Sequence, residues 1–391
     1  MSVPRTPRRP SAARGAVNRV TTAALIGTVI EFYDFALYAT AAALVLGPVF
    51  FPEAAPATAT LAAFGTFATG FVARPLGSLL FGHIGDRFGR RAVLRSTVLV
   101  TGLATLAIGL LPGYDRIGTA APVCLVLLRF VQGLGIGGEW TGAVLLAGEH
   151  APPRHRGLWA SLPQTGPALG FLLANGCVLV LSAALTAEQF TSWGWRIPFW
   201  CGGLLAVAGY LLRSAVTETP VFARLTGDGS RAAAPVREVL RRHGPRVLLV
   251  AGAVTCTYAV HYTATTWAMA HVTGRGIATA TATLLCLMAA MAVMAAATPV
   301  AAALGDRWGA RRMSLAGCVA MALCTVPYVG LLGRGGLPVL WASTTVLLLA
   351  LITMLGVQGR FVPGQFTPRL RTTGTALSYN LGAVLGGAPP R

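Results

Sequence analysis

Apolar runs of about 20 residues recur along the whole chain, the length a helix needs to cross the hydrocarbon core of a bilayer. They fall at 20–46, 57–82, 92–112, 119–148, 157–184, 196–213, 247–270, 277–304, 313–332, 337–360 and 372–388. In lipid every backbone amide must be satisfied within its own segment, so these runs predict helices. Composition agrees: 54% of the 391 residues are hydrophobic and 11% are charged. The mean hydropathy is +0.66. The expected fold class is an all-α integral membrane protein, with about 11 spans and no separate soluble domain.

The loops decide orientation. All 31 basic residues are Arg, and the net charge is +19. In a soluble protein that charge would point to nucleic acid. Here the Arg residues lie in short clusters: the N-terminal tail and the loops 83–91, 149–156, 214–246, 305–312 and 361–371. The alternate loops hold little charge. The positive-inside rule then places the N-terminus and every second loop in the cytoplasm. The expected location is the cytoplasmic (inner) cell membrane, as a multi-pass protein. Residues 1–19 read as a disordered cytoplasmic tail, 20–213 as a six-helix half, 214–246 as a central cytoplasmic loop and 247–391 as a second half. The second half ends on Pro389, Pro390 and Arg391. Two prolines do not continue a helix, so a chain truncated in or after span eleven, with its last helix missing, is expected. The seven Cys sit in apolar runs without a C-x-x-C pair and read as small buried hydrophobes.

An internal repeat relates the halves. GHIGDRFGRRAVL (82–94) follows span two and GDRWGARRMSL (305–315) follows span eight. The same loop at the same place in each half predicts a transporter built from two related six-helix units. Its acids, Asp86 and Asp306, are expected to pair with neighbouring Arg or to cap a helix N-terminus. Glu149, at the same face, lies within reach of Arg90 or Arg91. Contacts of this kind would lock one conformation and break in another. The gating set is Gly82, Gly85, Asp86, Arg87, Gly89, Arg90, Arg91, Glu149, Asp306, Arg307 and Arg311.

Of the 12 acids, Glu31, Asp34 and Glu139 fall well inside apolar spans, as do the basic Arg74 and Arg129. Ionisable groups there face a bundle interior or a water-filled cavity. They either brace the helices as fixed salt bridges or carry transport chemistry. Glu31 and Asp34, in IEFYDFALY (30–38), are i,i+3 and share a helix face. Two like charges so placed do not both ionise in a dry site, so the pair is expected to share a proton. Tyr38 lies one turn beyond Asp34, while Tyr33 points to a neighbouring helix. Arg74 and Arg129 each suit either a substrate carboxylate or the counter-ion of Glu31 or Asp34. Gln132, and Tyr258, His261 and Tyr262 in TYAVHYTATTW (257–267), complete the candidate substrate contacts. GLGIGG (133–138) matches the dinucleotide fingerprint, but it lies in a membrane run. Its glycines read instead as a place where two helices approach closely. No metal cluster, nucleophile elbow or P-loop appears, so an enzyme is not expected, nor a cofactor beyond the proton as coupling ion.

With these residues in view, the chain resembles the major facilitator superfamily, and within it the metabolite–proton symporters (shikimate, proline–betaine and α-ketoglutarate permeases). The likeness rests on GHIGDRFGRR, EFYDFALY, RPLG, RFVQGLGIGGEW, WGWRIPF and ETPVF. It implies proton-coupled symport of a small polar metabolite, an organic acid or betaine, by alternating access. It places the family's span-one acid at Glu31 and Asp34, its span-two Arg at Arg74, and its span-four Arg and acid at Arg129 and Glu139. The implied partners are the metabolite, the proton and the bilayer, with no nucleic acid, and the chain is expected to be a monomer. The alternatives are a facilitator or drug exporter of the same fold, suggested by the Gly-Pro in QTGPALGFLLANG (164–176), or an inactive truncated carrier. The first-half wording looks nearest the shikimate branch.

Overall fold

The computed structural model describes residues 10–152, 156–214, 218–227 and 235–387. The long helices are α1 (Pro10–Ala41), α2 (Pro56–Phe88), α3 (Arg90–Leu110), α4 (Ala120–His150), α5 (Gly157–Ala184) and α6 (Arg196–Ser214) in the first half. The second half holds α7 (Pro235–Gly274), α8 (Ala280–Trp308), α9 (Ala310–Leu331), α10 (Gly336–Gly364) and α11 (Arg371–Gly387). No strand occurs among the described residues. Ten of these helices are long and apolar enough to cross a membrane; α11 has 17 residues.

Two boundaries differ from the hydropathy reading. Helix α1 begins at Pro10, inside the segment read as a tail. The central polar segment is also partly helical, with a short helix at Pro220–Gly227 and α7 starting at Pro235. Val239 and Val247 of α7 pack against Phe366, Leu370 and Leu377. A buried apolar stripe thus holds this Arg-rich stretch helical, although its average composition is polar. Residues 1–9 and 388–391 lie outside the described residues.

Along its spans the molecule is apolar outside and holds its charges inside. Arg74, Arg90, Arg129 and Arg213 are among its largest fully buried side chains, while Leu61, Leu204, Leu249 and Leu323 stand exposed. A lipid-facing surface gains nothing by hiding leucine, and it must hide charge.

Small residues set the helix spacing inside the first half. A Cβ on Gly77 would strike the Leu134 carbonyl, and one on Gly137 would strike the Arg74 carbonyl. The GLGIGG stretch is therefore the α2–α4 contact. The repeat is visible in the backbone. Gly89 (φ 107°) and Gly309 (φ 89°) occupy the same place in the two loops, each in a conformation that favours glycine and each starting the next helix. A π-helical turn follows α1, at Ala42–Leu46, and another lies within its counterpart α7, at Thr263–Trp267. Across the halves α2 meets α11 and α5 meets α8, the same contact repeated by the pseudo-twofold.

Candidate functional site

The two acids of α1 enter different networks. Asp34 Oδ2 accepts a hydrogen bond from Thr105 of α3 at 2.8 Å. Gln132 Nε2 of α4 donates to Thr105 Oγ1 at 2.7 Å, and Arg129 donates to Gln132 Oε1. The Arg129 guanidinium lies 3.8 Å from the centre of the Tyr38 ring, and the Tyr38 hydroxyl bonds to Thr66. Cation and carboxylate are therefore coupled through two neutral side chains within the first half. Asp34 Oδ1 and Arg129 Nη2 are buried without a hydrogen-bond partner among the described residues.

Glu31 belongs to a second centre that reaches the other half. Its electrostatic neighbours are led by Arg74. Arg74 also acts on Tyr258, Tyr262 and Tyr379. The Arg74 guanidinium sits between Phe35 and Phe71, 4.7 and 4.9 Å from their ring centres. Glu31 Oε2 and Arg74 Nε are buried without a hydrogen-bond partner among the described residues. Three residues along a helix subtend roughly 300°, so the shared face expected of Glu31 and Asp34 spreads over a 60° arc. That arc is wide enough for the carboxylates to enter different networks. Asp34 still acts on Glu31, as the last of its charged neighbours after Arg74, Glu139 and Arg213. Tyr33 does turn to a neighbouring helix, donating to the Pro198 carbonyl of α6 at 2.8 Å.

Glu139 takes neither of the arginines expected as its counterpart. It is ion-paired with Arg213 at the end of α6 and accepts a hydrogen bond from Thr97 of α3. Arg213 also donates to the Leu94 carbonyl at 2.8 Å. The group ties α3, α4 and α6 together inside one half. Sequence reading passed over Arg213 because it sits at a span end, where an Arg is ordinary. The amides that bridge the halves were also missed. Trp140 donates to Gln164 Oε1 at 2.6 Å, and Gln164 reaches Gln358 Oε1 at 3.4 Å. Asn380 donates to the Gly137 carbonyl at 2.7 Å, and Tyr379 stacks on Trp140 at 3.5 Å. The available signal was a lone Gln or Asn within an apolar run, which lipid tolerates only with a partner. His261 is half-buried beside Tyr262, its ring edge-on at 5.6 Å.

The repeated loops close one end of the bundle. Asp86 accepts from the Thr372 and Thr373 amides at the start of α11, at 3.1 and 2.9 Å. Asp306 accepts from the Gly157 and Leu158 amides at the start of α5, at 2.9 Å each. Each half thus caps a helix of the other half by the same device. Carboxylates are favoured there because the exposed amides and the helix dipole both attract negative charge. Gly82 and Gly85 are the points where α2 lies against Thr373 and Thr372. Arg90 contacts Asp86 at 3.7 Å and Glu149 at 3.6 Å, and Arg371 contacts Glu149 at 3.4 Å. Arg90 also donates to the Pro368 carbonyl at 3.1 Å. Arg360 pairs with Asp306 at 2.9 Å. Arg91 turns to the Ser214 carbonyl, and its backbone amide donates to Glu218 at 3.1 Å. Arg87 is exposed beside the Phe88 ring; Arg307 and Arg311 are exposed at the same face.

The two caps should act as a unit. Asp86→Ala removes two charge-assisted hydrogen bonds, each worth about 1.5–3 kcal/mol. Hydrogen exchange should then rise at least about tenfold in the first turn of α11 and also in the first turn of α5. A rise confined to α11 would mean that the caps do not form one closure.

A bundle of two repeated halves, closed at one end by reciprocal caps over buried charge, is the architecture of an alternating-access membrane transporter. Two family models match, "Sugar (and other) transporter" over residues 20–243 and "MFS/sugar transport protein" over residues 153–365. The chain is 42% identical to the inner membrane metabolite transport protein YhjE of Escherichia coli, over 94% of this chain and 85% of that one. It is 35% identical to the shikimate transporter of the same organism (97% and 88%) and 32% identical to its proline/betaine transporter (96% and 77%). The fold matches the proton:xylose symporter XylE with a TM-score of 0.80, at 17% identity, over 96% of this chain and 87% of that one. The chain belongs to the major facilitator superfamily. It is a multi-pass membrane transporter of the metabolite-carrier kind, not an enzyme. The identities to YhjE and the shikimate carrier do not single out the shikimate branch.

Proposed function

We propose that this chain is a proton-coupled symporter of a small metabolite bearing a carboxylate, seated in the inner membrane with its N-terminus in the cytoplasm. The observation that carries this reading is the separation of the two α1 acids. Asp34 lies in a network confined to the first half. Glu31 and Arg74 lie where both halves contribute aromatic side chains. In this reading Asp34 takes and releases the proton at Oδ1, while Thr105 holds Oδ2. Arg129, coupled through Gln132, stabilises the charged form. Arg74 receives the substrate carboxylate, because a planar guanidinium between two rings presents its donors in a fixed direction. Tyr258, Tyr262 and Tyr379 line the other side. Glu139 serves as a brace. Every relative named above is described as a carrier of small metabolites, which supports the class but leaves the substrate open.

The export reading rested on the Gly-Pro of α5. Gly166 and Gly170 are spent there on close packing against Thr28 and Tyr33 of α1, so the motif has a structural use without export.

The deciding experiment is uptake into proteoliposomes under an imposed pH gradient, with a panel of labelled organic acids, betaines and proline. Accumulation of one carboxylate-bearing compound, abolished when the gradient is collapsed, is the expected outcome. Equilibration without accumulation for the whole panel would leave facilitation in place of symport.

A further inference from the structure

The stretch of α7 at the Arg-rich end has no part in either buried network. Arg237, Arg241, Arg242 and Arg246 are all exposed on it. A recess of about 460 Å³ opens between this stretch and the end of α10. Its lining is polar at Arg242, His243, Arg246 and Gln365 and forms an apolar wall at Pro245, Leu249, Val250 and Phe361. Arg246 Nη1 donates to the Gln365 carbonyl at 3.2 Å, which fixes its guanidinium over the recess. The apolar wall continues onto the outer surface of the bundle, where Leu248 is 64% and Leu249 77% exposed. The nearby acid, Glu238, is shared between Arg242 at 3.6 Å and Arg369 at 3.4 Å. One carboxylate for several guanidinium groups leaves the recess basic.

We propose that this recess binds the headgroup of an anionic phospholipid, with Arg242 and Arg246 on its phosphate and the start of an acyl chain along Leu249 and Phe361. The charge selects an anion, and basic pockets between spanning helices suit anionic headgroups. The apolar wall selects the lipid over a soluble anion. A free phosphate would sit beside exposed leucine without using it, whereas a lipid covers that surface while its phosphate meets the arginines at the level where the helix leaves the hydrocarbon.

The test uses the purified full chain in detergent, with phosphatidylglycerol or phosphatidylcholine of matched acyl chains added, and bound lipid read by native mass spectrometry. The wild type should retain phosphatidylglycerol preferentially. The double variant Arg242→Ala/Arg246→Ala should lose about thirtyfold of that preference, on the scale of surface arginines facing an anionic lipid. Arg242→Lys/Arg246→Lys should keep most of it. Arg312→Ala, which removes an exposed charge from the same end outside the recess, should leave it unchanged. Equal retention of phosphatidylcholine, equal loss in Arg312→Ala, or displacement of the lipid by inorganic phosphate would each overturn the proposal. The lysine variant and the phosphate competition remain decisive even if the alanine variant folds poorly.

Discussion

Replacing Arg213 by leucine is expected to destabilise the chain by about 3–5 kcal/mol, the usual consequence of stranding one partner of a buried ion pair. Both side chains of the Arg213–Glu139 pair are 1% exposed. Without the guanidinium, Glu139 keeps, among the described residues, the Thr97 hydroxyl alone, too little to replace the hydration lost on burial. The informative comparison is the double variant Glu139→Leu/Arg213→Leu. It removes both charges and leaves apolar surface among α3, α4 and α6, so its stability should return to near that of the wild type or exceed it. Unfolding in detergent micelles measures both. If the double variant is as unstable as Arg213→Leu, the pair is not an electrostatic brace. Transport by the double variant adds a second reading. A carrier that still accumulates substrate without Glu139 assigns the coupling elsewhere, as the geometry favours.

Asp34→Asn is expected to convert accumulation into equilibration. The asparagine oxygen still accepts from Thr105, so the α1–α3 contact survives. What disappears is the group able to bind and release a proton. With one proton per substrate, each pH unit of imposed gradient supports about tenfold accumulation. A gradient of about two units should therefore show a wild-type ratio near one hundredfold collapsing to about one. Counterflow exchange of labelled against unlabelled substrate should stay within a few fold. Glu31→Gln should behave differently, raising the KM for uptake while leaving the dependence on the gradient in place. If Asp34→Asn accumulates substrate as the wild type does, the assignment of the proton to Asp34 fails. If Glu31→Gln alone abolishes the response to pH, the roles of the two acids are exchanged.

The caps at the Arg-rich end show what a repeat is worth as evidence. The G-D-R loops at 82–94 and 305–315 are recognisable because each must supply a glycine at positive φ, an acid for a helix N-terminus and basic side chains within a few residues. These are local demands, so they leave a local pattern. That Asp86 and Asp306 cap helices of the opposite halves is not local. Asp86 meets residues 286 and 287 positions away, and Asp306 meets residues 149 and 148 positions away. Gln164, Gln358 and Asn380 were missed for the same reason. An uncharged amide in an apolar run gives little sign of whether it bonds along its own helix or across to another.

By itself, the sequence determined the class of fold, the two related halves, the close helix approach at GLGIGG, and the buried charges Glu31, Asp34, Glu139, Arg74 and Arg129, though not Arg213. Each of these follows from a constraint that acts on one segment at a time: the thickness of a bilayer, the repetition of a loop, the room beside a glycine, and the expense of a charge in lipid. Only the tertiary structure decided the partners. It set Asp34 with Thr105, Gln132 and Arg129, Glu31 with Arg74, and Glu139 with Arg213 rather than with either arginine inside the spans. The physical reason is that an ion pair is satisfied by distance in space. Several arginines of equal chemistry competed for the same acids, and the rotation of each helix about its axis, set by packing against its neighbours, chose among them.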